Sequence, residues 1–242
     1  MNQGRRVAVL IPAAGESRRM GEAGSKILAP LLGEAVIRHT VRCFQAHPAI
    51  DEVRLILAPA DRQAVEAQFA EPAAWDKLGP AVDGGPARWA SVRNGLAALA
   101  QAASPDIVLV HDGARPCCSG GLISRVLAGL AEAEAVIPTL PIHDTVRRMG
   151  ADGAVVERGV VDRSTLVRTQ TPQGFHWPVL WAAYQALGEA GAGITDDAQV
   201  VERHGGTLAA VPGEERNLKL TTAQHLAWAA WLLEHPTWGT SA

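Results

Sequence analysis

A chain of 242 residues is long enough for one large α/β domain or two small ones. With 48% hydrophobic and 19% charged residues it is globular rather than disordered, and a net charge of −3 argues against a broad nucleic-acid-binding face. No stretch reaches the roughly 18 apolar residues of a membrane span. Three cysteines, with Cys117 and Cys118 adjacent, do not make a disulfide framework and point to a reducing cytoplasm. No second CxxC or paired His gives them metal-ligand spacing, so they read as structural and no residue is assigned to a metal.

The first element is "VAVLI" at 7–11, too short for a signal peptide's apolar core and better read as a buried strand. "VRLILA" (53–58), "DIVLV" (106–110) and "EAVIP" (134–138) read the same way, apolar on both faces. Helix-period segments lie between them: 34–47 just after Gly33, 87–103 closed by Pro105, and 119–133 with Ser119 as N-cap. This alternation predicts a mostly parallel sheet with helices on both faces, whose ligands sit beyond the carboxyl ends of the strands.

Residues 139–172 break the rhythm with β-type alternation around "GADG" (150–153) and five arginines, Arg147, Arg148, Arg158, Arg163 and Arg168. A projecting hairpin arm fits this pattern. A half-apolar arm needs a cover, and a second copy of the chain is the simplest one. A helix (177–189), a helix (196–204), a strand (207–211) and a last helix (222–234) return to the main layer. There is no internal repeat, so one domain with an arm is expected over 1–242.

Chemistry-bearing residues cluster just after the strands. "IPAAGESRRMGEAGSK" (11–26) follows the first strand with small residues and then Arg18, Arg19 and Lys26. Small residues let backbone N–H groups approach a phosphate, although neither a Walker A loop nor GxGxxG is present. A solvated surface turn is the competing reading. Gly84 and Gly85 form a strand-to-helix turn with Ser91 one helical turn inside. That turn either offers amides to a ligand or simply connects. Asp112 ends the strand most suited to the centre of the sheet, with Arg115 close behind and Pro116 stiffening the exit. A carboxylate there can hold a metal or a sugar hydroxyl. His111 reads as a packed, hydrogen-bonded residue rather than a base. Thr195 reads as an N-cap before Asp196 and Asp197. Lys219 lies in a short segment before the last helix.

Taken in order, "PAAGESRRM" with Lys26, "DGGPARWASV", "VLVHDGARP", "DTVRR", "VDRSTL…TQTPQGF", "GITDDAQ" and "NLKLT" span residues 11 to 221. Together they resemble the 2-C-methyl-D-erythritol 4-phosphate cytidylyltransferase family. The resemblance implies a Rossmann-like nucleotidyltransferase fold, α/β with a mostly parallel twisted sheet flanked by helices, and a homodimer joined by the 139–172 arm. It implies that Ala13, Ala14, Gly15, Gly85 and Ser91 hold the nucleotide. Arg19, Lys26 and Lys219 would surround the triphosphate as the catalytic cations. Asp112, Arg115, Thr171 and Thr195 would hold the methylerythritol phosphate, with Thr145 and Arg163 reaching in from the partner's arm.

CTP and a polyol phosphate are the implied ligands, with Mg²⁺ held mainly by the CTP phosphates. The substrate's phosphate oxygen would attack the α-phosphorus and pyrophosphate would leave in line. An ionised phosphate needs no general base, which suits a sequence with no convincing catalytic His. The chain departs from the family pattern at Ser17, Ile27, Pro86, Gly113 and Arg216. Pro86 removes a side-chain contact near the nucleotide, and Arg216 is expected to reverse a charge near Lys219. A ribitol 5-phosphate cytidylyltransferase shares most of these motifs, and a nucleotide-binding module without turnover is the rival of another class. The end of the chain at Ala242 leads us to expect no fused cyclase domain.

Overall fold

The computed structural model describes residues 4–15, 25–188 and 191–238. Its first strand, β1 (Val7–Pro12), shows why the apolar run is continuous. Val7, Val9 and Ile11 enter one core with Ile37, Val41 and Phe44, whereas Ala8 and Leu10 enter a second core with Val92, Leu96 and Leu99. Side chains alternate across a strand, so a strand covered on both faces must be apolar at every position.

A short antiparallel pair follows, β2 (Pro30–Leu31) and β3 (Glu34–Ala35). Its two-residue turn places Leu32 at φ 50° and Gly33 at φ 83°. Positive φ at both central positions matches the twist of a tight hairpin and is the reason for Gly33. The predicted helix therefore begins two residues late, as α1 (Val36–Gln45). Next come β4 (Glu52–Leu57), a single-turn α2 (Arg62–Glu66), β5 (Val82–Asp83), α3 (Arg88–Ala102) and β6 (Ile107–Val110). Then α4 (Gly120–Gly129) starts where Ser119 caps it, its side chain accepting the Leu122 amide at 3.0 Å.

The second half contains β7 (Ala135–Pro141), β8 (Val146–Met149), β9 (Val155–Val161), β10 (Val167–Thr169) and β11 (Gln173–His176). The chain then forms α5 (Trp177–Leu187), α6 (Asp197–Arg203), β12 (Leu208–Pro212) and α7 (Ala223–Glu234). The cap of α6 is Asp196, whose side chain accepts the Gln199 amide at 3.0 Å. Thr195, expected in that role, lies one position outside.

Among the described residues, eight strands form one sheet. Across it run β5, β4, β1, β6, β11 and β7, with β12 on the far edge of β7. The pairs β1–β4, β1–β6, β4–β5 and β7–β12 are parallel, and β11 inserts antiparallel between β6 and β7. The strand order reverses between β1 and β6, which opens a crevice beyond their carboxyl ends.

The hairpin proper is narrower than 139–172. Only β8 and β9 pair as a separate sheet, whereas Thr139–Pro141 and Val167–Thr169 form a ladder inside the main one. An alternating sequence does not separate a free hairpin from strands that rejoin a sheet. The freed hairpin leaves Met149 61% and Val155 56% exposed, as an uncovered half-apolar arm would. No described helix is long and apolar enough to cross a membrane.

Candidate active site

At the crevice between β1 and β6 lies a cleft of about 460 Å³. The loop after β1 gives Ala13, Ala14 and Gly15, and the next wall gives Lys26. The α3 turn adds Gly85, Arg88 and Ser91, and Asp112 and Lys219 close the other side. Eight sequence-derived site residues thus meet in one place. Arg19 lies outside the described residues, as do Ser17 and Arg18.

The backbone bonds divide the loop after β1. The Ala13 amide donates to Ile56 O at 2.8 Å, so Ala13 extends the sheet and has no N–H to offer a ligand. Ala14 and Gly15 are the loop residues that follow. Gly84 is required where it stands, because a Cβ there would lie 2.3 Å from the Ala14 Cβ. The two loops close on each other only without that atom. Ser91 is buried, and its hydroxyl accepts the Gly85 amide at 3.0 Å and donates to Ala87 O at 3.1 Å. It lines the cleft while its hydroxyl shapes the turn. Pro86 is exposed on the cleft wall.

Asp112 is the electrostatic centre. Its Oδ2 accepts Arg115 Nε at 3.0 Å and pairs with Lys219 Nζ at 3.0 Å. Burial alone would push this carboxyl up. Lys219, Arg115 and Arg88 outweigh burial and hold it well below the usual carboxylate range. Asp112 is therefore an anion at any working pH.

Arg115 and Thr171 support the site rather than line this cleft. Arg115 donates from Nη1 to Asn217 O at 2.8 Å, and Thr171 Oγ1 accepts the Asp112 amide at 3.0 Å. Asn217 Nδ2 donates to Thr171 O at 2.7 Å, so three distant segments are tied behind the carboxylate. Thr145, Arg163 and Thr195 are exposed and do not line the cleft. The Arg163 guanidinium donates to the His143 carbonyl within the arm.

His111 is fully buried with both ring nitrogens engaged. Nε2 lies 3.2 Å from Arg115 O, which can only accept, so Nε2 carries the proton. Nδ1 lies 3.2 Å from the Thr171 hydroxyl. Burial pushes the imidazole down to about 4, against the raising effect of the Arg115 carbonyl. It is a strut and not a base.

A stability consequence follows. The unfolded chain takes up this proton as pH falls below about 6.5, and the folded chain only near about 4. Stability present above pH 6.5 is then lost progressively as pH falls towards 4, by about 3 kcal/mol from this group. Urea unfolding of the wild type and of His111→Gln on both sides of that window checks it. The variant should lose less on acidification; an equal loss would assign the acid sensitivity elsewhere.

Two site residues carried no assignment from sequence. Arg88 sits inside the quoted "DGGPARWASV", and Asp197 reads as an ordinary first-turn helix acid. They form an ion pair at 2.7 Å with Asp197 fully buried. Periodicity carries no signal of so distant a pairing. Arg216 corrects an expectation in the other direction. Its charge is engaged at the end of α7. Its guanidinium donates to Leu232 O and Trp238 O at 3.1 Å each, and to Pro236 O. A cation on the carbonyl end of a helix satisfies orphan acceptors and the helix dipole, so Arg216 fastens α7.

A second cleft of about 700 Å³ lies on the far side of Lys219, walled by Arg115, Trp228, Trp231 and Trp238. It is larger but lacks the loop after β1 and the α3 turn. Both clefts carry cations, but only the smaller one joins them to the small-residue loop after β1 and the α3 turn.

Comparison with known proteins agrees with this architecture. The 2-C-methyl-D-erythritol 4-phosphate cytidylyltransferase family profile matches residues 7–235. A protein of that name from Syntrophotalea carbinolica is 40% identical over 95% of this chain and 97% of its own length. A bifunctional enzyme IspD/IspF from Rhodospirillum rubrum is 46% identical over 90% of this chain, which spans 54% of that relative. The crystal structure of the Thermus thermophilus cytidylyltransferase superposes with a TM-score of 0.74 at 33% identity, covering 95% of this chain and 99% of that one. From its sequence profile, its relatives and its fold, the chain belongs to the 2-C-methyl-D-erythritol 4-phosphate cytidylyltransferase family.

Proposed function

We propose that this chain transfers CMP from CTP to 2-C-methyl-D-erythritol 4-phosphate and releases pyrophosphate. The carrying observation is the cleft itself, where Lys26 and Lys219 face a small-residue loop, with anionic Asp112 between the strands. The small residues let the nucleotide lie against backbone, with Ala14, Gly15 and Gly85 as the contact points. Lys26 and Lys219, with Arg19, neutralise the triphosphate and the charge that develops at the α-phosphorus. Asp112 accepts from a polyol hydroxyl.

The reaction forms one P–O bond from the substrate phosphate to the α-phosphorus and breaks the bond to pyrophosphate. The nucleophile is already ionised, so the engagement of both His111 nitrogens costs the mechanism nothing. The cleft's described lining has one carboxylate, Asp112, already paired with Arg115 and Lys219. Mg²⁺ arriving with the nucleotide would be held mainly by phosphate oxygens and water, its usual preference, and would supply charge neutralisation.

Thr145 and Arg163 are exposed on or beside the arm. We assign them to the neighbouring cleft of a homodimer joined through β8 and β9, in a cytoplasmic enzyme. The test is pyrophosphate release with CTP and Mg²⁺, with methylerythritol phosphate and ribitol 5-phosphate in parallel. Release with the first alone supports the reading. Release with the second alone changes the polyol. A folded protein that binds CTP but releases nothing with either would leave a binding module instead.

A further inference from the structure

Two carboxylates compete for Arg88, the first residue of α3 and part of the cleft wall. Its Nη2 lies 2.7 Å from Asp197 Oδ2, whereas its Nε stands 3.7 Å from Asp112 Oδ1, outside hydrogen-bond range. The contact to Asp197 lacks hydrogen-bond alignment, so charge rather than a directed bond holds the guanidinium. Asp197 cannot follow Arg88 outwards. It is fully buried, and its Oδ1 accepts the hydroxyl of buried Tyr184 at 2.6 Å.

The asymmetry has a physical cause. Asp197 is the fully buried first residue of α6, its side chain on the Tyr184 hydroxyl, and Arg88 is its only cationic partner among the described residues. Removing that partner would strand a charge in an apolar interior, which is strongly unfavourable. Asp112 already has Arg115 and Lys219 on Oδ2, so a third cation gains less there. The balance keeps Arg88 back. Among the described residues, Asp112 Oδ1 then has only Arg88, at 3.7 Å.

We infer that Asp197, steadied by Tyr184, is a positioning residue that tethers Arg88 away from Asp112 and leaves Oδ1 open to a substrate hydroxyl. The tether acts on the polyol half of the reaction and not on the nucleotide half. The inference rests on the proposed reading of Asp112 as the polyol ligand, and the test separates the two.

Steady-state KM for methylerythritol phosphate and for CTP is measured in Asp197→Asn, Asp197→Asn/Arg88→Met, Tyr184→Phe and Asp112→Asn. In Asp197→Asn the released guanidinium swings onto Oδ1. The polyol KM should then rise about tenfold, the size of one charge-assisted hydrogen bond, with the CTP KM unchanged. Removing Arg88 in that background should bring the polyol KM back towards wild type, because nothing then covers Oδ1. Tyr184→Phe should raise the polyol KM in the same direction, and it serves if Asp197→Asn does not fold.

A purely structural pair would instead lower the active fraction with both KM values unchanged. That result, an equal rise in both KM values, or an unchanged polyol KM in folded Tyr184→Phe overturns the tether. If Asp112→Asn raises the polyol KM but Asp197→Asn does not, the tether alone falls. If Asp112→Asn leaves it unchanged, the reading of Asp112 falls first and takes the tether with it.

Discussion

Lys26→Ala should lower kcat by at least about 10²-fold, by analogy with removal of one preorganised donor aimed at transition-state charge, and should leave the fold intact. The backbone around Lys26 is fixed without its side chain. Ile27 is buried in the core, its carbonyl accepts the Ile37 amide at 2.9 Å, and Leu28 N donates to Ser25 O at 2.9 Å. Truncation therefore removes a cation from the cleft wall and leaves these backbone bonds in place. Pyrophosphate release under saturating substrates, with thermal unfolding as the control, reads the effect. Near-normal turnover in the folded variant would remove Lys26 from the mechanism. Lys219→Ala should differ in kind. It also strips Asp112 of a partner at 3.0 Å, so it should change the polyol KM as well as kcat.

Mixing two inactive dimers should restore activity. In the proposed homodimer, Arg163→Ala and Lys26→Ala should each disable every site. In a mixed dimer, one site keeps its own Lys26 and receives an intact Arg163 from the other arm. Random exchange in a two-fold dimer should return roughly a quarter of the wild-type sites. The structural basis is that Arg163 is exposed and engages the His143 carbonyl, away from the cleft of its own chain. No recovery after subunit exchange has been verified by mass would place Arg163 in its own chain's site, or outside the reaction.

The parts of the molecule legible in sequence are those governed by local rules. Val7–Pro12 reads as a doubly covered strand because each residue meets a core. Asp112 and Lys26 read as site residues because strand ends face the crevice and charges gathered there need a ligand, whereas Lys219 follows no strand and is picked out only by the family resemblance. What was hidden depends on partners far along the chain. Asp197 has the sequence signature of a helix start, and only burial beside Arg88 gives it another part. Arg216 looked like a charge beside Lys219 until the end of α7 supplied its acceptors. Ser91 kept its place in the cleft, but its hydroxyl serves the Gly85 turn. The arm was overdrawn because Thr139–Pro141 and Val167–Thr169 alternate like a hairpin yet pair within the main sheet.

That last ladder has a practical meaning for anyone modifying the protein. From Thr169, the end of β10, the chain needs only two steps to reach Thr171, whose hydroxyl accepts the Asp112 amide. Between them, Gln170 donates to Glu214 O at 2.8 Å. An affinity tag or fluorescent label spliced here would cut the splint behind the carboxylate. Spliced instead into the tip at 150–153, where β8 turns into β9, it would lengthen the hairpin's reach without shifting any strand of the main sheet. For the main sheet, residues 169–172 are the stretch to leave untouched, and a label at the tip would test the arm alone.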